Sequence, residues 1–296
     1  MSTTRTVLHL GAHKTGTSLI QKYVRDNPQL AADLGIAYIS RADANGLIGS
    51  GRRLEDQPQR LRGRLAEELG RRPAAVLASH ENTLGRPVVA DRPGLYPHAH
   101  RFATALAGIC AAAGAEPHIV YYVRPLADFL ESYYLQTVHQ GSHRSFERWV
   151  GRLDLPSLSW GPVIAALDEV FGEDRVVLGD FREIGEGQPE FLRRFLVRAG
   201  LPQPTEIAYT PVRNPSVSDR GLRMALAINP LLEAPSERKE ARKFLQRHFN
   251  NRSGERARPM PDHLREQLRR ADEPEYQRLA ARAEASLVAP PPQGRP

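Results

Sequence analysis

Thr6-Val-Leu-His-Leu-Gly-Ala-His-Lys-Thr-Gly-Thr-Ser-Leu-Ile-Gln21 is the stretch from which the rest of the chain can be read. A short apolar run (Val7, Leu8, Leu10) ends at two glycines, Gly11 and Gly16, that bracket Lys14. Thr17 and Ser18 follow, and then Leu19, Ile20, Tyr23 and Val24 recur at helical spacing. The pattern predicts a strand, a glycine loop and a helix N-terminus in succession. Such a unit turns backbone N–H groups and the positive end of a helix dipole towards a phosphate. Lys14 projects from the loop as a candidate partner for phosphate charge, and Gly16 lets the backbone approach closely. Thr15, Thr17 and Ser18 add N–H or hydroxyl donors, and His13 is a further candidate contact.

Working outward, apolar runs at 6–10, 36–39, 74–79, 118–123 and 175–178 predict strands. Helical patterns lie between them, at 18–34, 60–69, 101–113, 127–139 and 163–170. Strands alternating with helices predict an α/β fold whose central, mostly parallel sheet is flanked by helices on both faces. After residue 187 the pattern is helical: 189–199, 219–228, 236–249, and 262–286 in pieces. Residues 40–58 hold three glycines and few apolar anchors, and read as a mobile surface loop, with an acceptor-side lid as the alternative. Residues 1–288 read as a single domain, and the Pro-rich tail 289–296 reads as disordered.

Composition narrows the function classes. The chain has 296 residues and a net charge of +7, from 41 basic and 34 acidic residues. The arginines are dispersed, and Glu55, Asp56, Glu67 and Glu68 interrupt the longest basic clusters, so no nucleic-acid stripe is expected. Cys110 is alone, which excludes an internal disulfide, and its apolar neighbours predict a small buried hydrophobe. No signal-peptide pattern and no run of about 20 apolar residues is present, so a cytoplasmic protein without membrane insertion is expected. The sequence does not fix the oligomeric state.

The first loop departs from the nucleotide-triphosphatase pattern G-x-x-x-x-G-K-[ST], because Thr17 stands where lysine should follow the second glycine. With the lysine moved forward, Gly11-Ala-His-Lys14-Thr-Gly16-Thr17-Ser18 resembles the 5′-phosphosulfate loop of sulfotransferases that use 3′-phosphoadenosine 5′-phosphosulfate (PAPS). A second stretch, Pro117-His-Ile-Val-Tyr-Tyr-Val-Arg124-Pro-Leu-Ala-Asp-Phe-Leu-Glu-Ser132, resembles that family's 3′-phosphate site. There, an arginine ends a strand and a serine lies eight residues on, in the next helix. The two motifs stand in the family's order, and the resemblance covers about residues 5–230.

The resemblance implies a P-loop-like nucleotide-binding architecture. It also implies PAPS as co-substrate, adenosine 3′,5′-bisphosphate (PAP) as product, and no required metal. Lys14 would stabilise the leaving 5′-phosphate, and Arg124 with Ser132 would bind the 3′-phosphate. A hydroxyl or amine acceptor, a glycan or glycolipid by resemblance, would receive the sulfuryl group by direct in-line transfer. Asn214, Ser216 and Ser218, with Arg213 and Arg220, resemble the late segment that closes over the nucleotide.

The acceptor needs a base, and the strand ending at Ser79 runs into His80-Glu81-Asn82. Adjacent residues on an extended strand point to opposite sides, so only one of His80 and Glu81 faces the site. Glu81 is favoured because Ser-x-Glu resembles bacterial carbohydrate-type members. His80 is the alternative and His13 the next. Either side chain works best with a pKa near neutrality. Two other readings stay open: a nucleotide-dependent kinase, and a non-catalytic protein that binds an adenosine bisphosphate or RNA.

Overall fold

The computed structural model describes residues 4–209, 211, 216–252 and 254–288. The expected tail 289–296 and the late-segment residues Arg213 and Asn214 lie outside them. In chain order the strands are β1 (Arg5–Gly11), β2 (Ile36–Ile39), β3 (Ala75–Ser79), β4 (Pro117–Val123) and β5 (Val176–Asp180). Before β3 come helices α1 (Thr17–Asp26), α2 (Pro28–Asp33), α3 (Arg41–Leu47), α4 (Arg52–Asp56) and α5 (Pro58–Gly70). Then follow α6 (Ala99–Ala112), α7 (Leu126–His139), α8 (Phe146–Val150), α9 (Gly161–Phe171) and α10 (Gln188–Ala199). The chain closes with α11 (Asp219–Ile228), α12 (Pro235–His248) and α13 (Asp262–Val288).

The strands form one sheet in the order β2-β3-β1-β4-β5, and every pairing is parallel. Two layers follow from the two-residue alternation of a strand. Val7, Ala75, Leu77, Val120 and Tyr122 face one side, where α1 and α10 bury Leu19, Ile20, Tyr23, Phe191, Leu192 and Phe195 against them. Their alternates Leu8, Val76, Ala78, Ile119 and Tyr121 are buried on the other side, which α6 and α9 serve with Phe102, Leu106, Val163 and Leu167. Each fully buried aliphatic or aromatic side chain of this kind contributes about 1.5–3 kcal/mol. Cys110 lies within α6, buried, and burial pushes its thiol up to about 12, which makes it unreactive.

By its contacts the chain divides into two compact units. The first holds residues 1–124, 159–212 and 275–296, and so contains the whole sheet; the second holds 125–158 and 213–274. The second unit is helical. Phe129, Tyr133, Tyr134, Phe146 and Trp149 pack their rings together within it, so the two tyrosines serve as packing residues. Buried Glu131 is paired with Arg265 at 2.6 Å, a structural role. No helix among the described residues is long and apolar enough to cross a membrane.

Residues 40–58 differ from the expected loop. They form α3 and α4, and bury Ala44, Ile48 and Leu54. Gly51 has φ +86°, and a Cβ there would lie 2.5 Å from Phe102, so the segment is fastened to α6 at a point only glycine can occupy. Two helix readings also change. The stretch 18–34 breaks at Asn27–Pro28, where proline starts α2, and 262–288 is one helix that contains Pro274.

Candidate functional site

A parallel sheet delivers the C-terminal ends of its strands to one edge, which is where open α/β sheets bind ligands. Here the strand order sets the residues that meet at that edge. Arg41 follows β2, Glu81 follows β3, Lys14 follows β1, Arg124 follows β4 and Phe181 follows β5. All five belong to the first unit.

The loop after β1 is held by its own polar groups. Thr15 is fully buried and its hydroxyl donates to the Ala12 carbonyl at 2.7 Å; the Thr17 hydroxyl reaches the same oxygen at 3.4 Å. Both hydroxyls are therefore spent inside the loop, unlike the donors expected from sequence, and Ser18 keeps an exposed side chain. Gly16 caps α1 in the left-handed region (φ 86°), with no side-chain cap, so the first turn leaves N–H groups open. A Cβ on Gly16 would lie 3.0 Å from Phe191 and 3.4 Å from Phe181, so the chain's own packing requires this glycine.

Lys14 is half-buried, with a left-handed backbone at φ 61°. Its ammonium has no hydrogen-bond or ion-pair partner among the described residues. Burial first, and Arg124 second, push its pKa down from the ordinary lysine value, and Glu81 opposes the shift. Arg124 donates from Nη1 to the Lys14 carbonyl at 2.8 Å and lies 4.8 Å above the Phe181 ring. Trp160 Nε1 donates to the Arg124 carbonyl at 2.8 Å, so the backbone beneath the guanidinium is also fixed. The result is two adjacent cations beside an uncapped helix start, an arrangement that attracts a phosphate-bearing anion.

Across β1, Glu81 accepts from Arg41 Nη2 at 2.9 Å and from Gln21 Nε2 at 3.3 Å. Gln21 is buried and also donates to the Ser79 carbonyl at 2.9 Å. Burial alone would raise the Glu81 pKa, but Arg41, a backbone N–H, His13 and His80 together hold it below the ordinary carboxylate range. Glu81 is thus an anion at neutral pH, not a carboxyl tuned towards neutrality. Arg41 keeps 48% of its side chain exposed, and an exposed pair of this kind contributes about 0.2–1 kcal/mol.

His80 has partners of its own. Its ring is 1% exposed, with Nδ1 3.2 Å from Thr83 Oγ1 and Nε2 2.9 Å from Asn45 Oδ1. Burial pushes its pKa down to about 4. Both nitrogens are engaged and no face is open to an acceptor, so this residue organises α3 against the β3 end. His13 is 5% exposed, with Nε2 2.8 Å from Asn82 Oδ1 and Nδ1 2.9 Å from the Tyr96 hydroxyl, which also accepts from the His13 N–H at 2.9 Å. Burial lowers its pKa as well. His13 therefore braces the loop. Ser132 is half-buried on α7 in the second unit. Ser218, also there, caps α11 by accepting from Gly221 N–H and donates to the Phe249 carbonyl at 2.8 Å, which occupies its hydroxyl.

Four residues of the site escaped the reading of the sequence: Arg41, Gln21, Tyr96 and Phe181. Arg41 had one usable signal, its place directly after a strand, since every strand end of a parallel sheet reaches the same edge. Among the described residues, no group of three or more His, Cys, Asp or Glu is placed to hold a metal ion.

No protein-family model matches the chain, and no curated protein sequence matches it. Among solved structures, the crystal structure of a sulfotransferase from Alicyclobacillus acidocaldarius is similar to it at 15% identity and a TM-score of 0.42. That match covers 81% of this chain and 91% of the other.

Proposed function

We propose that this protein is a sulfotransferase that moves the sulfuryl group of PAPS to a hydroxyl or amine acceptor, with a glycan or glycolipid as the acceptor class. The observation that carries the reading is the unpartnered Lys14 ammonium, placed ahead of Gly16 and beside Arg124. A triphosphatase loop needs its lysine in the first turn of the helix, where this chain has Thr17, bonded inward. PAPS, when bound, supplies a sulfuryl group on a phosphate leaving group. The residues at the β1 and β4 ends fit a nucleotide with two anionic phosphate groups: two cations, the Ser18 hydroxyl and an open helix start.

In this reading Lys14 stabilises the charge that develops on the leaving oxygen, and the α1 N–H groups with Ser18 hold the 5′-phosphate. Arg124, flattened on Phe181, holds the 3′-phosphate. Glu81, already ionised, accepts the proton of the acceptor. His80 and His13 keep the two loops in place. Catalysis then comes from positioning and fixed charge, as in phosphoryl transfer.

Melting curves with PAP, AMP and ATP test the assignment. A ligand that binds only the native state adds about 2.7 kcal/mol at a hundredfold excess over its dissociation constant. PAP should stabilise far more than AMP or ATP, and Arg124→Met should remove most of that difference. Equal shifts with PAP and ATP refute the reading. Formation of PAP from PAPS in the presence of hydroxyl acceptors then separates an enzyme from a protein that only binds the bisphosphate.

A further inference from the structure

Arg41 has no task in the proposed transfer, yet it occupies the oxygen the transfer needs. Its Nη2 lies 2.9 Å from Glu81 Oε1, and its other N–H groups have no partner among the described residues. The second carboxylate oxygen faces Gln21, which is buried and tied to the Ser79 carbonyl. Of the two partners, only half-exposed Arg41 is free to withdraw. Arg41 covers one face of the Glu81 carboxylate, and although this half-exposed pair is weak, a second anion would hold the guanidinium away from it.

The charges along the sheet edge point the same way. Lys14 and Arg124 are neighbours on β1 and β4, beside the open start of α1. Arg41 stands apart from them, beyond β3 on the β2 side. An anion bound there would lie next to Glu81 and away from the nucleotide phosphates. We propose that Arg41 binds an anionic group carried by the acceptor itself, so that the acceptor is a hydroxyl compound bearing a carboxylate or phosphate close to the hydroxyl that is sulfated. This rests on the sulfotransferase reading. Acceptor binding draws Arg41 from Glu81, uncovers the base and removes the strongest of the influences that hold down its proton affinity. A neutral acceptor makes no such exchange and must compete with Arg41 for the carboxylate.

Calorimetric titration of the full chain, loaded with PAP, against glucuronate, glucose 6-phosphate and glucose tests the inference. At least one of the two anions should bind about tenfold or more tightly than glucose. Arg41→Ala and Arg41→Gln should lower that preference by about ten- to a hundredfold, the scale of one charge-assisted bond, and Arg41→Lys should restore part of it. Preference for glucuronate alone supports a carboxylate-bearing acceptor, and for glucose 6-phosphate alone a phosphate-bearing one. If glucose binds as tightly as both anions, or if the Arg41→Ala protein keeps the full preference, the inference is overturned. The melting shift with PAP, compared with ATP before any acceptor is added, reports separately on the sulfotransferase reading.

Discussion

Lys14→Ala and Lys14→Gly, made side by side, are expected to raise the melting temperature of the ligand-free protein while removing most of its activity. Two burdens coincide at this residue. Its backbone is left-handed at φ 61°, a conformation that costs a residue with a Cβ about 1–2 kcal/mol. Glycine relieves that strain but restores about 0.4–1 kcal/mol of freedom to the unfolded chain. Lys14→Gly should therefore exceed Lys14→Ala by about 1.6 kcal/mol at most, worth about 3–6 °C in a domain of about 150–250 residues.

The second burden is charge. Burial and Arg124 depress the Lys14 pKa, so the protonated form disfavours folding at neutral pH. As pH rises through the depressed value, the native state releases its proton while the unfolded state still holds one, and wild-type stability catches up. The advantage of Lys14→Ala should thus be greatest below the depressed value, shrink as pH rises through it and vanish near pH 10.5, the ordinary lysine value. Saturating PAP should reverse the order, because only wild type offers the ammonium to a phosphate. Turnover should fall by about 10²–10³, the loss expected for one preorganised donor, with a smaller loss in PAP affinity. Calorimetric melts at several pH values and single-turnover transfer from PAPS give both readouts. A ligand-free Lys14→Ala protein that melts below wild type at pH 7 would refute the reasoning.

Glu81→Gln should keep the melting shift with PAP and lose about 10²–10⁴ in turnover; an unchanged rate would move the proton to another group. Acid should weaken the fold through His9, His80 and His118, each buried and pushed down to about 4 from 6.5. Between those values the unfolded chain binds the extra protons, so stability falls as pH drops, by up to about 1.4 kcal/mol per pH unit for each histidine. Urea midpoints that match at pH 7 and pH 5 would contradict this, and His118→Gln should flatten the slope. Gly51→Ala places a methyl 2.5 Å from Phe102 on a left-handed backbone, and should destabilise by about 2–5 kcal/mol in urea melts. A neutral result would mean that residues 40–58 are not fastened at Gly51.

The sheet was legible because its strands are apolar on both faces, and an uninterrupted run such as Val76-Leu-Ala78 needs no distant information to read. The same holds for Lys14 and Arg124, which follow strand ends directly. Residues 40–58 were misread because their anchors are small and scattered, and because Gly51 meets Phe102 some fifty positions away. The hydroxyls of Thr15 and Thr17 looked like ligand donors until the path of the loop brought the Ala12 carbonyl beneath them. Glu81 and His80 take different partners, Arg41 and Asn45, both from α3, and only tertiary packing could supply them. Arg41 was hidden because its partner depends on β2 and β3 pairing in parallel, which brings the ends of two strands separated by three helices to one edge.

That adjacency bears on how such a protein can change its substrate. β2 is an edge strand with a single hydrogen-bonded neighbour, whereas β1 and β4, which bear Lys14 and Arg124, are paired on both sides. Residues 36–58 thus hang on the sheet by one ladder: a graft there must rebuild that ladder, the Asn45 and Arg41 contacts with the β3 end and the seat of Gly51 on Phe102, but no ladder of β1 with β4. In the proposed transfer, drift at this margin would redirect what is modified and leave Lys14 and Arg124 on strands it does not touch.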